Sequence, residues 1–222
     1  MPIWMSLSFQ NSFSPEMESI NFFHDFSMTM IIFIFLLSSY FIFSSLMGEF
    51  FDNFSIESHE LELFWTFTPT LFLMFLAIPS MKVLYMTEDS QKPCFTFKIT
   101  GHQWYWSYDF MNCLEEVDSF YDSSLMSRLL KVSNVVNLPS FSNIRGLVTS
   151  SDVIHSWSIP SMGVKSDCSP GRLNQVFLMS KLNMLTVGQC SEICGANHSF
   201  MPIVLIFSIV LTIFSFVNTS MS

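Results

Sequence analysis

The twenty residues from Met28 to Met47 carry no charge. A helix of that length, at about 1.5 Å per residue, crosses the roughly 30 Å apolar core of a bilayer. A second apolar run extends from Leu63 to Tyr85. It holds Pro69 and Pro79, which membrane helices tolerate, and Lys82 near its end can snorkel to the interface. The stretch from Gly48 to Glu62 is short and polar, so the two spans form an antiparallel hairpin with both ends on one side. The rest of the chain then has to fold outside the membrane.

From Cys94 onward the period changes to two. Phe95, Phe97 and Ile99 alternate with Thr96, Lys98 and Thr100, as in a half-buried strand. Trp104, Trp106, Tyr108 and Phe110 continue the alternation. Further strand-like runs fall near 132–138, 144–149, 153–159, 173–179 and 184–189, separated by Pro, Gly, Ser and Asn clusters. Many short strands at this spacing predict a sandwich or barrel. The expected organisation is a helical hairpin segment over 1–90 and a β domain over 91–222.

Chemistry concentrates in Cys190-Ser-Glu-Ile-Cys194-Gly-Ala-Asn-His198-Ser-Phe-Met201. Soft sulfur ligands plus imidazole select copper or zinc, and a methionine ligand favours copper. His155 stands 35 residues before Cys190, in Asp152-Val-Ile-His155-Ser-Trp157. Two Cys, two His and one Met suffice for two metals if the thiolates bridge them. A tetrahedral Cys2His2 zinc site would use the same four ligands but leave Met201 without a role. A Cys190–Cys194 disulfide would leave both histidines unexplained.

The run Gly188-Gln-Cys-Ser-Glu-Ile-Cys-Gly-Ala-Asn-His-Ser-Phe-Met-Pro-Ile203 resembles the dinuclear copper (CuA) loop of the cytochrome c oxidase subunit 2 family. Gly101-His-Gln-Trp-Tyr-Trp-Ser-Tyr108, Asp152 to Trp157 and Pro170-Gly-Arg-Leu-Asn-Gln175 are similar to the same family, in its order. The resemblance implies a cupredoxin-like Greek-key β-barrel after the transmembrane hairpin, a membrane α + β fold. It implies Cys190 and Cys194 as bridging thiolates, His155 and His198 as terminal ligands, Met201 as a weak ligand and Glu192 through its backbone carbonyl. It also implies that the Glu192 side chain reaches a magnesium ion shared with subunit 1. Trp104 corresponds to the residue where electrons from cytochrome c enter. Glu62 corresponds to the mouth of a proton path into subunit 1. The implied function is electron transfer from cytochrome c to a haem in subunit 1, where oxygen is reduced with proton pumping. The expected partners are cytochrome c, subunits 1 and 3 and the bilayer, with no nucleic acid. The alternative is a membrane-tethered copper-delivery protein, which would give up its copper quickly to a chelator.

Composition narrows the setting. Phe (26) and Met (16) are abundant, against two alanines, Ala77 and Ala196, a skew expected of a U-rich organelle genome. The first 27 residues lack Lys and Arg but contain Glu16, Glu18 and Asp25, unlike a secretory signal or an Arg-rich transit peptide. Synthesis inside the organelle and residence in the mitochondrial inner membrane follow as expectations. All nine bases lie at or beyond Lys82, so the positive-inside rule does not orient the hairpin. The family implies both termini, and the copper domain, in the intermembrane space.

Of the net charge of −9, a local acidic stretch holds Asp109, Glu115, Glu116, Asp118 and Asp122 with no base between them. It is either a solvated loop or a docking patch for a cationic partner. Asp152 is placed either to hold His155 or to meet that partner. Trp106 and Trp157 are expected to pack in the core, His24, His59 and His102 to sit at interfaces or surfaces, and Cys94, Cys113 and Cys168 to remain free thiols. The last strand is expected over about Pro202 to Val210, with Leu211 to Ser222 packed as an apolar helix or coil.

Overall fold

The computed structural model describes residues 5–48, 57–88, 92–110, 116–123 and 128–209. Two helices come first, α1 (Pro15–Met47) and α2 (His59–Glu88). Their 33 and 30 residues extend about 50 and 45 Å, further than the uncharged runs alone would. Most of their large apolar side chains are exposed, as expected of helices whose solvent is lipid. The helices run antiparallel. Ser19 Oγ donates to Met86 Sδ at 3.1 Å at one end, and the Phe33 and Phe72 rings meet at 6.2 Å further along. In α2 the hydroxyls of Thr66, Thr68 and Thr70 donate to the carbonyls of Glu62, Phe64 and Thr66, which hides their polarity from lipid.

Ser19–Glu88 forms one compact unit. The described residues up to Glu18 group instead with the β unit that begins at residue 92. Backbone pairing explains this: Phe13 N donates to Ser161 O and Lys181 N to Phe13 O, both at 3.1 Å. Ser14 caps α1, its hydroxyl accepting from Met17 N at 3.0 Å while donating to Met162 O at 2.7 Å. Met17 is buried, and Glu18 pairs with Lys181.

Among the described residues the β unit has ten strands: β1 (Phe95–His102), β2 (Tyr105–Phe110), β3 (Glu116–Ser119), β4 (Val136–Pro139), β5 (Ile144–Ser150), β6 (His155–Ile159), β7 (Val164–Cys168), β8 (Asn174–Leu178), β9 (Met184–Gln189) and β10 (Pro202–Ser208). A five-stranded sheet runs β3-β2-β1-β5-β8, and a three-stranded sheet runs β4-β10-β9. A β6-β7 ribbon completes the sandwich. β1 and β5 are parallel, with Phe95 opposite Ile144, and most other pairs are antiparallel. Phe97, Ile99, Trp106, Tyr108, Trp157, Leu205 and Phe207 fill the core. β10 is flanked on both sides and buries nearly every residue, which accounts for its unbroken apolar sequence.

β10 covers the expected last strand as far as Ser208. Val210 and the predicted packing of Leu211 to Ser222 lie outside the described residues. β3 and β7 occur where no apolar alternation marks a strand. β3 runs through the acidic stretch, and β7 carries Lys165, Ser166 and Asp167. Three connections converge at one end: the β1–β2 hairpin, the β5–β6 loop and the β9–β10 loop.

Candidate metal centre

The β9–β10 loop is tied at its base, where Cys190 N donates to Met201 O at 3.2 Å. A short 3-10 turn over His198–Phe200 brings the chain back to β10. Inside this loop the two thiols lie 4.0 Å apart. Cys190 Sγ is 3.9 Å from His155 Nδ1 and 3.3 Å from the Glu192 carbonyl oxygen. Cys194 Sγ is 3.6 Å from His198 Nδ1 and 3.5 Å from Met201 Sδ. All six sequence-predicted donors therefore meet in one cluster. Cys190, Cys194, His155 and Met201 are buried, His198 is half-buried, and the Glu192 side chain is exposed.

His155 opens β6, and its ring fits because position 101 is glycine. A Cβ there would lie 2.8 Å from the imidazole. Its Nε2 is 2.9 Å from Asp152 Oδ1. An ionised carboxylate only accepts, so Nε2 donates to Asp152 while Nδ1 faces the Cys190 thiol. Trp106, fully buried, packs edge-on to His155 with centroids 5.8 Å apart. Its Nε1 donates to Met201 O at 3.4 Å. Trp106 is thus more than core packing, because it touches both sides of the cluster. Trp157 is buried in the core, as expected.

The electrostatics suit a metal site. Burial opposes a thiolate at Cys190, but hydrogen bonding from His155 and the local backbone outweighs it and lowers the pKa. Burial and then the Cys190 charge push Cys194 up. Burial opposes a charged His155, yet Cys190 and Asp152 hold its pKa above the ordinary value. For Asp152, desolvation is outweighed by hydrogen bonds from His155, Val153 and Gln103, and its carboxyl lies below the usual range.

Trp104 sits at the tip of the β1–β2 hairpin, half-buried, beside the loop. Gly195 has φ +127, a region other residues avoid, and a Cβ on it would approach the indole to 3.1 Å. Gln103 Nε2 donates to Cys194 O at 2.8 Å. Next to Trp104, His102 stacks on Tyr105 (4.5 Å) and Tyr105 on Phe120 (4.3 Å). A depression of about 480 Å³ is lined by Gln103, Trp104, Tyr105, Phe120, Tyr121, Asn197 and Phe200. His102 is therefore part of an ordered aromatic surface, held by Ser107 at 3.0 Å and Ser151 at 2.8 Å.

Acidic side chains border this surface. Asp109 pairs in register with Glu116, and Ser107 with Asp118. Glu116 and Asp118 project to solvent, and burial followed by the charges of Asp118, Glu116 and Asp152 raises the Tyr105 pKa. Asp122 is 3.0 Å from Lys131. Glu115 and Cys113 lie outside the described residues. Cys94 is exposed and Cys168 buried, both as free thiols. Burial pushes the Cys168 thiol up to about 12. Glu62, in the first turn of α2, is partly exposed with His59 at 3.6 Å.

The family model "Cytochrome C oxidase subunit II, periplasmic domain" matches residues 95–208, and that of its transmembrane domain matches residues 2–83. The chain belongs to the cytochrome c oxidase subunit II family. Cytochrome c oxidase subunit 2 of Aedes aegypti is 46% identical over 211 residues, covering 92% of each chain. That of Ctenocephalides felis is 47% identical over 213 residues, covering 92% of this chain and 93% of its own. The periplasmic domain of subunit II of cytochrome oxidase from Bradyrhizobium japonicum has a TM-score of 0.56 and 42% identity, over 58% of this chain and 94% of that one. The two apolar helices and the cupredoxin-like β-sandwich are those of a membrane-anchored oxidase subunit II with a C-terminal soluble domain.

Gln103 draws no role from the sequence, while Trp106, expected in the core, and His102, expected at a surface, also border the cluster and the aromatic surface. Their signal lies in the Gly101–Tyr108 run itself.

Proposed function

We propose that this chain accepts electrons from cytochrome c at Trp104 and delivers them, through a dinuclear copper centre, to a haem in subunit 1. The six-donor cluster carries this reading. Its donors are the thiols of Cys190 and Cys194, the imidazoles of His155 and His198, the thioether of Met201 and the carbonyl of Glu192, with sulfur contacts of 3.3 to 4.0 Å. Two thiolates, two imidazoles and a thioether form a soft donor set suited to copper. These residues would hold two coppers, and such a pair would supply one-electron transfer with little change of geometry.

The residues of the chain prepare the site. The tied loop base and the buried β6 start fix the donors on a rigid sandwich, which limits reorganisation. Trp104 lies against the Cys194–Gly195 segment and borders the aromatic surface. Glu116 and Asp118 give that surface the charge that attracts a cationic protein such as cytochrome c. The exposed Glu192 carboxylate is available for magnesium shared with subunit 1. Glu62 is assigned to the mouth of a proton path into subunit 1. Subunit 3 and the bilayer complete the surroundings, in the mitochondrial inner membrane with the copper domain in the intermembrane space. Oxygen reduction belongs to subunit 1, and the chain has no Cys-x-x-Cys-His haem-attachment motif.

Rapid mixing of the assembled oxidase with reduced cytochrome c tests the reading. Trp104→Phe should leave binding intact and slow copper reduction. An unchanged reduction rate would remove Trp104 from the path.

A further inference from the structure

Asp152 is shared by two parts of the site that are far apart in sequence. Its Oδ1 accepts from His155 Nε2 at 2.9 Å and from Val153 N at 2.6 Å. Its Oδ2 accepts from Gln103 N, 49 residues away, at 2.7 Å. The Gln103 side chain continues the connection, with Nε2 donating to Cys194 O at 2.8 Å. A continuous chain of contacts thus runs from His155 through Asp152 and Gln103 to Cys194. Trp104 follows Gln103 directly and lies against Gly195.

We propose that Asp152 is a positioning residue that aims the His155 imidazole and registers the Gln103–Trp104 tip against the Cys194 segment with a single carboxylate. The inference rests on the assignment of His155 and Cys194 to the copper centre and of Trp104 to electron acceptance. Each oxygen of Asp152 has a separate task. The Oδ1 contact fixes the tautomer and rotation of His155, as carboxylates do for metal-bound imidazoles. The Oδ2 contact holds the backbone next to Trp104, so the tip and the thiolate loop keep a fixed separation. All of these donors belong to this chain and engage both oxygens, so the partly exposed Asp152 is bonded toward the site in addition to any part it takes in the acidic surface.

The two tasks can be separated in the assembled oxidase. Asn at 152 keeps one oxygen for His155 and Val153 but puts an NH2 group opposite Gln103 N–H. Asp152→Asn should retain the wild-type copper EPR and visible spectra. Its saturating rate of copper reduction should nevertheless fall. Asp152→Ala should alter the spectra as well and lower the saturating rate by roughly tenfold or more. Gln103→Ala should lower the rate with little spectral change. If Asp152→Asn and Asp152→Ala both raise only the half-saturating cytochrome c concentration, in a salt-dependent manner, Asp152 is a docking charge and the proposal is wrong. Loss of copper from both variants also overturns it, since Asn preserves the His155 acceptor. A wild-type centre without a shared-electron signal, or a Trp104→Phe rate equal to wild type, overturns the underlying assignment and the inference with it.

Discussion

The indole of Trp104 lies against Gly195, the residue after Cys194, closely enough that a Cβ at 195 would approach it to 3.1 Å. Gly195→Ala should therefore both strain the loop, at roughly 1–3 kcal/mol for its φ of +127, and push the indole away. Thermal unfolding should report the first effect. Slower copper reduction at saturating cytochrome c should report the second. A stable, fast Gly195→Ala protein would show that this contact is not on the electron path.

Charge on β3 gives a second expectation. Neutralising Glu116 and Asp118 together should slow association with cytochrome c at low ionic strength by up to roughly tenfold and flatten its salt dependence. Steady-state turnover across an ionic-strength series measures this. An unchanged slope would leave β3 as a solvated edge strand.

Trp106→Phe removes the Nε1 donor from Met201 O and trims the ring that packs on His155. Met201 O keeps Cys190 N as a partner, so no carbonyl is orphaned. A loss of roughly 2 kcal/mol in stability is expected from the hydrogen bond and the small cavity together. A shift in copper potential should accompany it, because the Met201 contact is less constrained. Denaturant unfolding and a redox titration check the two parts.

Cys168 supplies the pH expectation. Burial raises its folded pKa to about 12, from an ordinary value of 9.0. Below pH 9 both folded and unfolded thiols are protonated and the contribution is intact. As pH rises from about 9 towards 12 the unfolded thiol ionises first, and stability is lost. Cys168→Val should flatten the fall in melting temperature over that window. Tyr108, also raised by burial, should leave a residual slope.

The sequence made the donors and the hairpin legible because both depend on local spacing: a four-residue thiol interval, a literal loop and twenty uncharged residues. Asp152, three positions before His155, is legible as one of two alternatives, whereas its bond to Gln103 N is not. Trp106 and Gln103 reach the loop through contacts 95 and 91 positions away, which spacing does not encode. β3 and β7 escaped for a different reason. They pair at the sheet margin and in a two-stranded ribbon, where Glu116, Asp118, Lys165 and Asp167 keep solvent contact and no apolar alternation is required. The docking of Phe13 and Ser14 on the β unit is equally silent, because backbone groups make most of it.

The most direct test is copper content with EPR spectroscopy on the purified chain, before and after Cys190→Ser and Cys194→Ser. Two coppers per chain, a purple colour and one unpaired electron shared over both metals are expected. Either serine substitution should abolish the shared signal. One copper with a blue, single-metal spectrum, or a colourless zinc protein, would contradict the dinuclear centre on which the account depends.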